Sequence, residues 1–275
     1  MRQPLFLALL TAAALPLAAC AGMSTDAGDV TTQSSARSSL AAAVAAPTRT
    51  PVNLARDRYR HPAETLAFFG VRPTDTVVEI WPGGGWYTEI LAPYLANGGR
   101  YYAVASERGL GGVTKLKAAN GDLYGKVLTA AFPADADDAR VPAGSADVVL
   151  TFRNVHNWMM GDAPFAGEAF AQMYAMLKPG GTLGIVEHRL PEARDSAAEM
   201  KSGYVKTSTV RRLAEAAGFR FVGASEVNSN RLDTADYPKG VWTLPPTFQE
   251  GDADRARYAA IGESDRMTLK FVKPR

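Results

Sequence analysis

The fold class is decided by the stretch Glu79-Ile80-Trp81-Pro82-Gly83-Gly84-Gly85-Trp86-Tyr87-Thr88. The β-branched, apolar run from Thr76 to Ile80 predicts a buried strand that leads into it, and Trp86 to Leu95 predicts a helix that leaves it. Glycines between a strand and a helix allow a tight turn and let backbone N–H groups approach a ligand. The stretch therefore predicts the first strand–loop–helix unit of an α/β domain, with a ligand beside the loop.

Segments typical of strands and of helices alternate along the rest of the chain. Near-continuous apolar strands separated by helices indicate a parallel sheet that is covered on both faces. We therefore predict an α/β domain with a doubly wound, seven-stranded, mostly parallel sheet whose last strand is antiparallel. The predicted strands are residues 76–80, 100–105, 126–131, 146–151, 182–187, 219–225 and 266–272, and the main predicted helices are residues 86–95, 111–120, 163–177 and 210–217.

Ligands of such sheets bind beyond the carboxyl ends of the strands, which singles out the loops 81–86, 106–112, 132–138 and 152–158. The second loop carries Glu107, which lies 22 residues after Gly85. An acid at about this distance accepts hydrogen bonds from ribose hydroxyls in nucleotide-binding folds. A solvated strand end is the alternative interpretation of Glu107. The loop and the acid together favour a cofactor that contains a nucleoside.

Three further motifs flank the later strands. They are Val141-Pro142-Ala143-Gly144-Ser145-Ala146-Asp147-Val148-Val149, Leu177-Lys178-Pro179-Gly180-Gly181-Thr182-Leu183 and Glu215-Ala216-Ala217-Gly218-Phe219. With the alternation of Glu79, Gly83 and Gly85, they resemble class I S-adenosylmethionine-dependent methyltransferases over about residues 58 to 273. More narrowly, residues 82–87, 152–156 and 264–269 resemble a group of exported predicted methyltransferases. The resemblance implies the Rossmann-like methyltransferase fold, with S-adenosylmethionine as cofactor.

The resemblance also implies roles for single residues. Glu79 and the glycines Gly83, Gly84 and Gly85 would line the methionine part of the cofactor, and Trp81 stands in this cofactor loop in place of the usual first glycine. The remaining implied roles are ribose binding by Glu107, contact with the adenine amino group by Asp137, and positions beside the transferring methyl group for Asn154 and His156.

A polar cluster, Phe152 to Trp158, follows the fourth predicted strand and should face the cleft. His156 is a candidate general base because its ordinary pKa is near neutrality, and Arg153 is a candidate clamp for a carboxylate or phosphate. The alternatives are a structural histidine and an arginine that pairs with Glu187 or Glu107. Glu187 and His188 would complete a minimal metal site with His156, but no short ligand spacing supports one, so no metal is predicted.

The N-terminal residues have the pattern of a targeting signal. Residues 1–20 combine an early arginine, a short apolar run and small residues before Cys20, which is typical of a lipoprotein signal peptide with Cys20 as the lipidation site. An ordinary cleaved signal peptide is the alternative. Residues 21–53 have the composition of a flexible tether, and residues 54–275 form the predicted methyltransferase-like domain. We expect a protein of the bacterial cell envelope on the periplasmic side, held to the membrane by a lipid.

Composition narrows the range of partners. The 30 basic and 28 acidic side chains nearly balance, and no dense Lys/Arg run occurs, so nucleic acid is not implied as a partner. The single cysteine excludes an intramolecular disulfide. The expected partner is a small-molecule substrate, and the long irregular segment from Asn228 to Pro246 is expected to fold over the cleft and set substrate choice.

Two hypotheses of function follow. The first is an exported methyltransferase that uses S-adenosylmethionine and acts on an unknown small-molecule acceptor. The second is a catalytically inactive, methyltransferase-like ligand-binding protein of the cell envelope. A nicotinamide-dependent enzyme on a similar sheet is disfavoured by the glycine spacing.

Overall fold

The computed structural model describes residue 1 and residues 35–36, 39–135 and 138–275. In this part of the chain, eight strands form one sheet in the order β3-β2-β1-β4-β5-β8-β7, with the short β6 beside β5. Strands β1 to β6 pair in parallel, and β8 runs antiparallel to both of its neighbours. The strands are β1 (Thr76–Ile80), β2 (Arg100–Val104), β3 (Leu128–Ala130), β4 (Ala146–Phe152), β5 (Leu177–Leu190), β6 (Val205–Lys206), β7 (Arg220–Ser225) and β8 (Arg266–Val272).

Helices cover both faces of the sheet. Three single turns of 3-10 helix, Arg108–Leu110, Ser196–Met200 and Gly240–Thr243, lie in connections. The α-helices are α1 (Pro51–Leu54), α2 (Asp57–Arg60), α3 (Pro62–Phe69), α4 (Thr88–Leu95), α5 (Gly111–Ala119), α6 (Gly121–Tyr124), α7 (Val155–Met159), α8 (Ala166–Met176), α9 (Thr207–Ala216) and α10 (Arg255–Ile261).

Side-chain alternation along the strands divides the core into two layers. In β1, Val78 and Ile80 belong to the layer that contains α8, whereas Val77 belongs to the layer that contains α4. All three are fully buried, as expected of a strand that has helices on both faces. This alternation fixes β1 in register and so fixes where the glycine loop emerges.

The predicted fold class is confirmed, with two differences in the strands. The turn predicted at residues 177–181 belongs to β5, because Leu177 pairs with Ala146 across a register shift before Thr182 pairs with Val148. At its other end β5 runs on to Leu190, because its last residues pair with β8 and β6. The short β6 was not predicted.

Residues 39–53, which composition assigns to the tether, are packed in the structure. Leu40 and Ala43 are buried in the core layer of α4, and Arg49 is buried with a two-pronged ion pair to Asp57. The predicted domain boundary at residue 53 is therefore wrong for these residues. Cys20 and the signal peptide, apart from Met1, lie outside the described residues. Where the chain is described, none of its helices has the length and hydropathy to cross a membrane.

Candidate functional site

A cavity of about 360 Å³ opens at the carboxyl ends of β1, β4 and β5. This volume falls within the usual range for small-molecule sites. Its walls come from the glycine loop after β1, the loop after β4, helices α1 and α2, and the segment before α10. The lining residues are Asn53, Arg56, Arg60, Glu79, Trp81, Pro82, Gly83, Gly84, Trp86, Tyr87, Phe152, Arg153, Asn154, His156, Asn157, His188, Val241, Trp242, Pro245, Pro246, Thr247, Glu263 and Ser264.

The glycine loop leaves open space at two of its three glycines. A Cβ added at Gly83 or Gly84 would meet no atom within 4 Å, and both residues line the cavity. Gly85 turns away from the cavity, and its added Cβ would lie 2.5 Å from the side chain of Leu116 in α5. The start of α5 also presses on the loop, since a Cβ on Gly112 would lie 2.2 Å from the carbonyl oxygen of Gly83.

Glu79 is the second-last residue of β1 and lines the cavity with 3% of its surface exposed. Its carboxylate accepts a hydrogen bond from the hydroxyl of Tyr101, which lies 2.9 Å from the Thr88 hydroxyl. Burial raises the pKa of Glu79 to about 7, against the opposing effects of the Tyr101 hydrogen bond and the charge of Arg153. Glu79 is therefore an acid that titrates near neutral pH at the floor of the cavity.

Trp81 stands where the family pattern has its first glycine, and its backbone keeps a glycine-like conformation with φ of +53°. Its N–H continues the sheet by donating to the carbonyl of Val104 at 2.8 Å. The indole Nε1 donates to the carbonyl of Phe132 beyond β3 at 3.1 Å, and the ring packs edge-on against Trp158 with centroids 5.9 Å apart. The indole therefore extends towards the end of β3, where the resemblance places the adenine.

The loop after β4 is held by hydrogen bonds to both neighbouring strands. Arg153 adopts the left-handed region with φ of +62°, and its N–H donates to the carbonyl of Val186 in β5 at 2.7 Å. The amide of Asn154 donates to the carbonyl of Ile80 in β1 at 2.9 Å and to the Thr151 hydroxyl at 3.1 Å. Asn154 thus fixes the loop, and strained backbone held in this way is common at functional sites.

His156 and Glu187 form a buried dyad at the cavity wall. His156 Nδ1 lies 2.9 Å from Glu187 Oε1. The carboxylate also accepts from the backbone N–H of His156 at 3.2 Å and of His188 at 2.8 Å. Because a carboxylate accepts, the imidazole proton belongs on Nδ1, which leaves the lone pair on Nε2. Nε2 has no hydrogen-bond partner among the described residues, and the ring lines the cavity. This arrangement is that of an oriented general base.

A second imidazole lies beside this dyad. His188 Nδ1 is 2.5 Å from the Ser264 hydroxyl, and the rings of His188 and His156 are 5.3 Å apart. Burial lowers the pKa of His188 well below its ordinary value, and the charges of His156 and Arg153 lower it further. Ligand atoms of His156, Glu187 and His188 lie within 4.8 Å of one another, which is close enough for the three side chains to hold a metal ion. The sequence spacing gave no support for such a site. The arginines nearby oppose a cation there.

Four arginines, Arg56, Arg60, Arg153 and Arg266, gather beside the cavity, and we call them the arginine cluster. All but Arg266 line the cavity. Three of the four contact the buried carboxylate of Glu263. The Nε atoms of Arg56 and Arg60 lie 2.6 and 3.1 Å from it, and Nη1 of Arg266 lies 3.0 Å from it. The side chain of Arg153 makes no hydrogen bond to any described residue, so neither the predicted pair with Glu187 nor that with Glu107 forms.

Burial perturbs the titration of the arginine cluster. It lowers the pKa of Arg60 to about 9 and that of Arg153 to about 10, and the positive charges of neighbouring arginines add to the effect. Glu263 partly offsets both shifts. The cluster is therefore held against an electrostatic cost, which is typical of a functional site.

The cavity brings together most, but not all, of the predicted site residues. It contains Glu79, Trp81, Gly83, Gly84, Arg153, Asn154 and His156. Glu107 is exposed at the start of the 3-10 turn Arg108–Leu110 and does not line the cavity, and its role in ribose binding stays a prediction. Asp137 lies outside the described residues.

Sequence reasoning missed Arg56, Arg60 and Glu263, which lie far from the motifs along the chain. The two arginines fall at the edge of the predicted tether, and Glu263 directly precedes the family-like ending Ser264 to Leu269. That adjacency was the available signal. The prediction that residues 228–246 fold over the cleft is confirmed, since Val241, Trp242 and both prolines at 245–246 line it.

Comparisons with known proteins agree with this geometry. Residues 78–185 match the family model described as a methyltransferase domain. A SAM-dependent methyltransferase from Aquifex aeolicus is similar in structure at 15% identity and a TM-score of 0.52, over 80% of this chain and 93% of that one. The cyclase SpnF is similar at 14% identity and a TM-score of 0.53, over 88% of this chain and 96% of that one.

A third similar structure is phosphoethanolamine N-methyltransferase 2 from Haemonchus contortus, solved in complex with S-adenosyl-L-methionine. It has 16% identity and a TM-score of 0.50, over 79% of this chain and 53% of that one. No curated protein matches the chain in sequence. At these identities the solved structures show the fold. Together with the match to the methyltransferase domain model over residues 78–185, the strand order shows that this chain has the fold of the class I S-adenosylmethionine-dependent methyltransferase superfamily.

Proposed function

We propose that this protein is a methyltransferase that transfers the methyl group of S-adenosylmethionine to a small-molecule acceptor, with His156 as the base. The observation that carries the proposal is the His156–Glu187 dyad, whose free Nε2 faces the same cavity as Gly83 and Gly84. When bound, the cofactor supplies an electrophilic methyl group. The residues of the chain position the acceptor and remove its proton.

The residues present fit the methionine end of the cofactor. Gly83 and Gly84 leave room for a ligand, and Glu79 is placed to accept a hydrogen bond from an ammonium group. At the adenosine end, the indole of Trp81 lies against Phe132, and the cofactor requires that it move. The proposal therefore assigns Glu79 and the two glycines to cofactor binding and Trp81 to the gate of the adenosine site.

The roles in proton transfer follow from the hydrogen bonds. Glu187 holds His156 in the tautomer with a proton on Nδ1, so Nε2 accepts a proton from the acceptor. The side-chain amide of Asn154 donates hydrogen bonds to the Ile80 carbonyl and the Thr151 hydroxyl, which fixes the segment that leads into His156. Arg153 holds the substrate, and the residues of the 241–247 segment close over it.

The test has two stages. Calorimetric titration with S-adenosylmethionine and S-adenosylhomocysteine comes first, and absence of heat from both ligands at millimolar concentration contradicts the proposal. Methyl-tritiated cofactor is then offered with pooled phenols, carboxylic acids, amines and thiols. H156N should lower turnover by about a hundredfold or more while cofactor affinity stays within about twofold. H61N, a histidine replacement outside the cavity, is the matched control and should keep wild-type turnover.

The second candidate is a ligand-binding protein without turnover. Trp81 favours it, because the indole closes the side of the cavity where adenine is expected. Tight binding of a small molecule, no binding of S-adenosylhomocysteine and no turnover with any acceptor pool would support this candidate against the first.

We also propose that the protein is exported and anchored to the cell envelope by a lipid on Cys20. Support comes from the residues before Cys20 and from its being the only cysteine in the chain. Mass spectrometry of the protein from membranes should find a lipid on the N-terminal cysteine, and C20S should move to the soluble fraction. A membrane-bound C20S protein would contradict the anchor.

A further inference from the structure

The arginine cluster carries more positive charge than its surroundings neutralise. Among the described residues, the only carboxylate in contact with the cluster is that of Glu263, and it contacts three of the four guanidinium groups. The two other buried carboxylates at the site are engaged elsewhere, Glu79 with Tyr101 and Glu187 with His156. A positive excess therefore remains beside the cavity, and burial makes it costly.

Several donors of the cluster are buried without a partner in the part of the chain that the structure describes. They are Nη2 of Arg56, Nη2 of Arg60 and Nε of Arg266. Arg60, which is 4% exposed, recovers part of the cost by lying over the ring of Trp86 at 4.8 Å. A buried charged donor that lacks an acceptor is destabilising, and an anion bound in the cavity would supply acceptors to Arg56 and Arg60, which line it.

The fold directs Arg153 into the cavity. The residue is held at a positive φ by its N–H bond to Val186, and the next residue is fixed to the carbonyl of Ile80. The described residues offer its guanidinium group no hydrogen bond. A strained backbone that presents an unpartnered cation to a cavity is an arrangement that a ligand would complete.

We propose that the arginine cluster binds an anionic group, a carboxylate or a phosphate, of the methyl acceptor. The inference rests on the proposed function and names the substrate class for it. A guanidinium group offers two parallel N–H donors, which match the spacing of carboxylate and phosphate oxygens. Arg153 precedes α7, His156 lies in the first turn of α7, and both line the cavity, so an acceptor held by its anion at Arg153 would present its reacting atom near His156 Nε2.

Direct titration tests the anion site. Inorganic phosphate and succinate are the probes, and the readouts are calorimetry and the fluorescence of the tryptophans in the cavity. R153Q keeps a neutral hydrogen-bonding group on a shorter side chain and removes the charge, and it should weaken phosphate binding about tenfold or more. R108Q removes one charge from an exposed arginine outside the cavity and should change the affinity less than twofold. Equal affinities in wild type and R153Q, or no saturable binding in the wild type, would overturn the inference.

R153K is the second variant and keeps the proposal testable if glutamine impairs folding. Lysine retains the charge but loses the two-pronged donor set, so the affinity for phosphate should fall between those of wild type and R153Q. An affinity equal to that of the wild type would mean that charge alone, rather than a built site, attracts the anion, and would overturn the inference.

The source of the anion is resolved with the cofactor product. S-adenosylhomocysteine carries its own carboxylate, whereas 5′-methylthioadenosine lacks the amino-acid part. If the cluster serves the acceptor, phosphate should bind the protein saturated with S-adenosylhomocysteine with an affinity within about threefold of that for the free protein. Competition between the two, with R153Q weakening S-adenosylhomocysteine but not methylthioadenosine, would assign the cluster to the cofactor and overturn the inference. Failure of S-adenosylhomocysteine to bind would instead refute the proposed methyltransferase, so the two failures are distinguishable.

Discussion

Replacing Glu263 by glutamine removes the carboxylate on which three buried arginines depend. Glu263 is 4% exposed and contacts Arg56, Arg60 and Arg266. Burial alone would raise the pKa of Glu263, but the charges of the three arginines outweigh it and lower the pKa to about 2. E263Q should therefore be strongly destabilised at neutral pH.

The size of the effect follows from linkage between ionisation and folding. A pKa lowered from 4.5 to about 2 makes the ionised carboxylate worth about 3 kcal/mol to the folded state, at about 1.4 kcal/mol per tenfold change in proton affinity. Removing one partner of a buried ion pair costs about 3–5 kcal/mol in other proteins, which agrees. Because the folded pKa is depressed, this stability is fully present above pH 4.5 and is lost as the pH falls towards 2.

Urea unfolding followed between pH 3 and 8 measures the effect. The free energy of unfolding of E263Q should lie about 3 kcal/mol below that of the wild type at pH 7, and the difference should shrink as the pH falls below 4.5. E79Q is the matched control, because it removes a buried acid whose pKa is raised to about 7. Because the folded pKa of Glu79 is raised, its ionisation lowers the free energy of unfolding of the wild type as the pH rises from 4.5 to 7. The free energy of unfolding of E79Q should therefore rise relative to that of the wild type in this pH range, and the difference between them should change little below pH 4.5.

Two results would refute this reasoning. One is a loss of less than about 1 kcal/mol in the free energy of unfolding of E263Q at pH 7, which would mean that the ion pairs of Glu263 stabilise the protein no more than an ion pair on the surface. The other is a difference from the wild type that persists unchanged in acid. A further readout links stability to the anion site: E263Q leaves the arginines less neutralised, so phosphate should stabilise this variant more than it stabilises the wild type.

Three other variants test the site. W81G restores the family's glycine where φ is already +53°, and calorimetry should show S-adenosylhomocysteine binding about tenfold more tightly, while W81F, which keeps a ring, should bind like the wild type. Unchanged affinity in W81G would show that the indole does not obstruct the cofactor. G112A places a Cβ 2.2 Å from the Gly83 oxygen, so it should displace the glycine loop and weaken cofactor binding, whereas G111A, whose Cβ meets nothing within 4 Å, should not. E187Q should lower kcat about a hundredfold with little change in KM, because glutamine does not fix the His156 tautomer, and an unaltered kcat would remove Glu187 from the mechanism.

Most of the fold was predictable because its signals are local. The β-branched run at 76–80, the glycines at 83–85 and the turn at 179–181 each constrain the backbone within a few residues. The extension of β5 to Leu190 was not predictable in this way, since it depends on pairing of His188 with β8, about 80 positions away, and of Arg189 and Leu190 with the short β6. Residues 39–53 show the same limit: their composition suits a tether, but Leu40 and Ala43 find a core to pack against.

The residues of the site were predictable to the same extent, namely where the signal is local in the sequence. The loop residues Arg153 and His156 follow directly from the end of β4, so sequence position alone placed them at the cavity. The arginine cluster could not be found from the sequence, because Arg56 precedes α2, Arg60 ends it and Arg266 begins β8, and only the tertiary fold brings them to Glu263. Glu107 lies exposed outside the cavity, so its role in ribose binding stays a prediction.

Chemistry in this superfamily fold is decided by the side chains at the strand ends rather than by the sheet. SpnF has a similar fold but is named as a cyclase, so the strand order alone does not determine that a protein transfers methyl groups. In this chain the selective features are an oriented imidazole, a neutral second imidazole and an excess of buried guanidinium groups around one cavity. A base beside a cation site suits an acceptor that carries an anion and must lose a proton. If the proposed anion site is correct, the arginine cluster, more than the glycine loop, selects the acceptor.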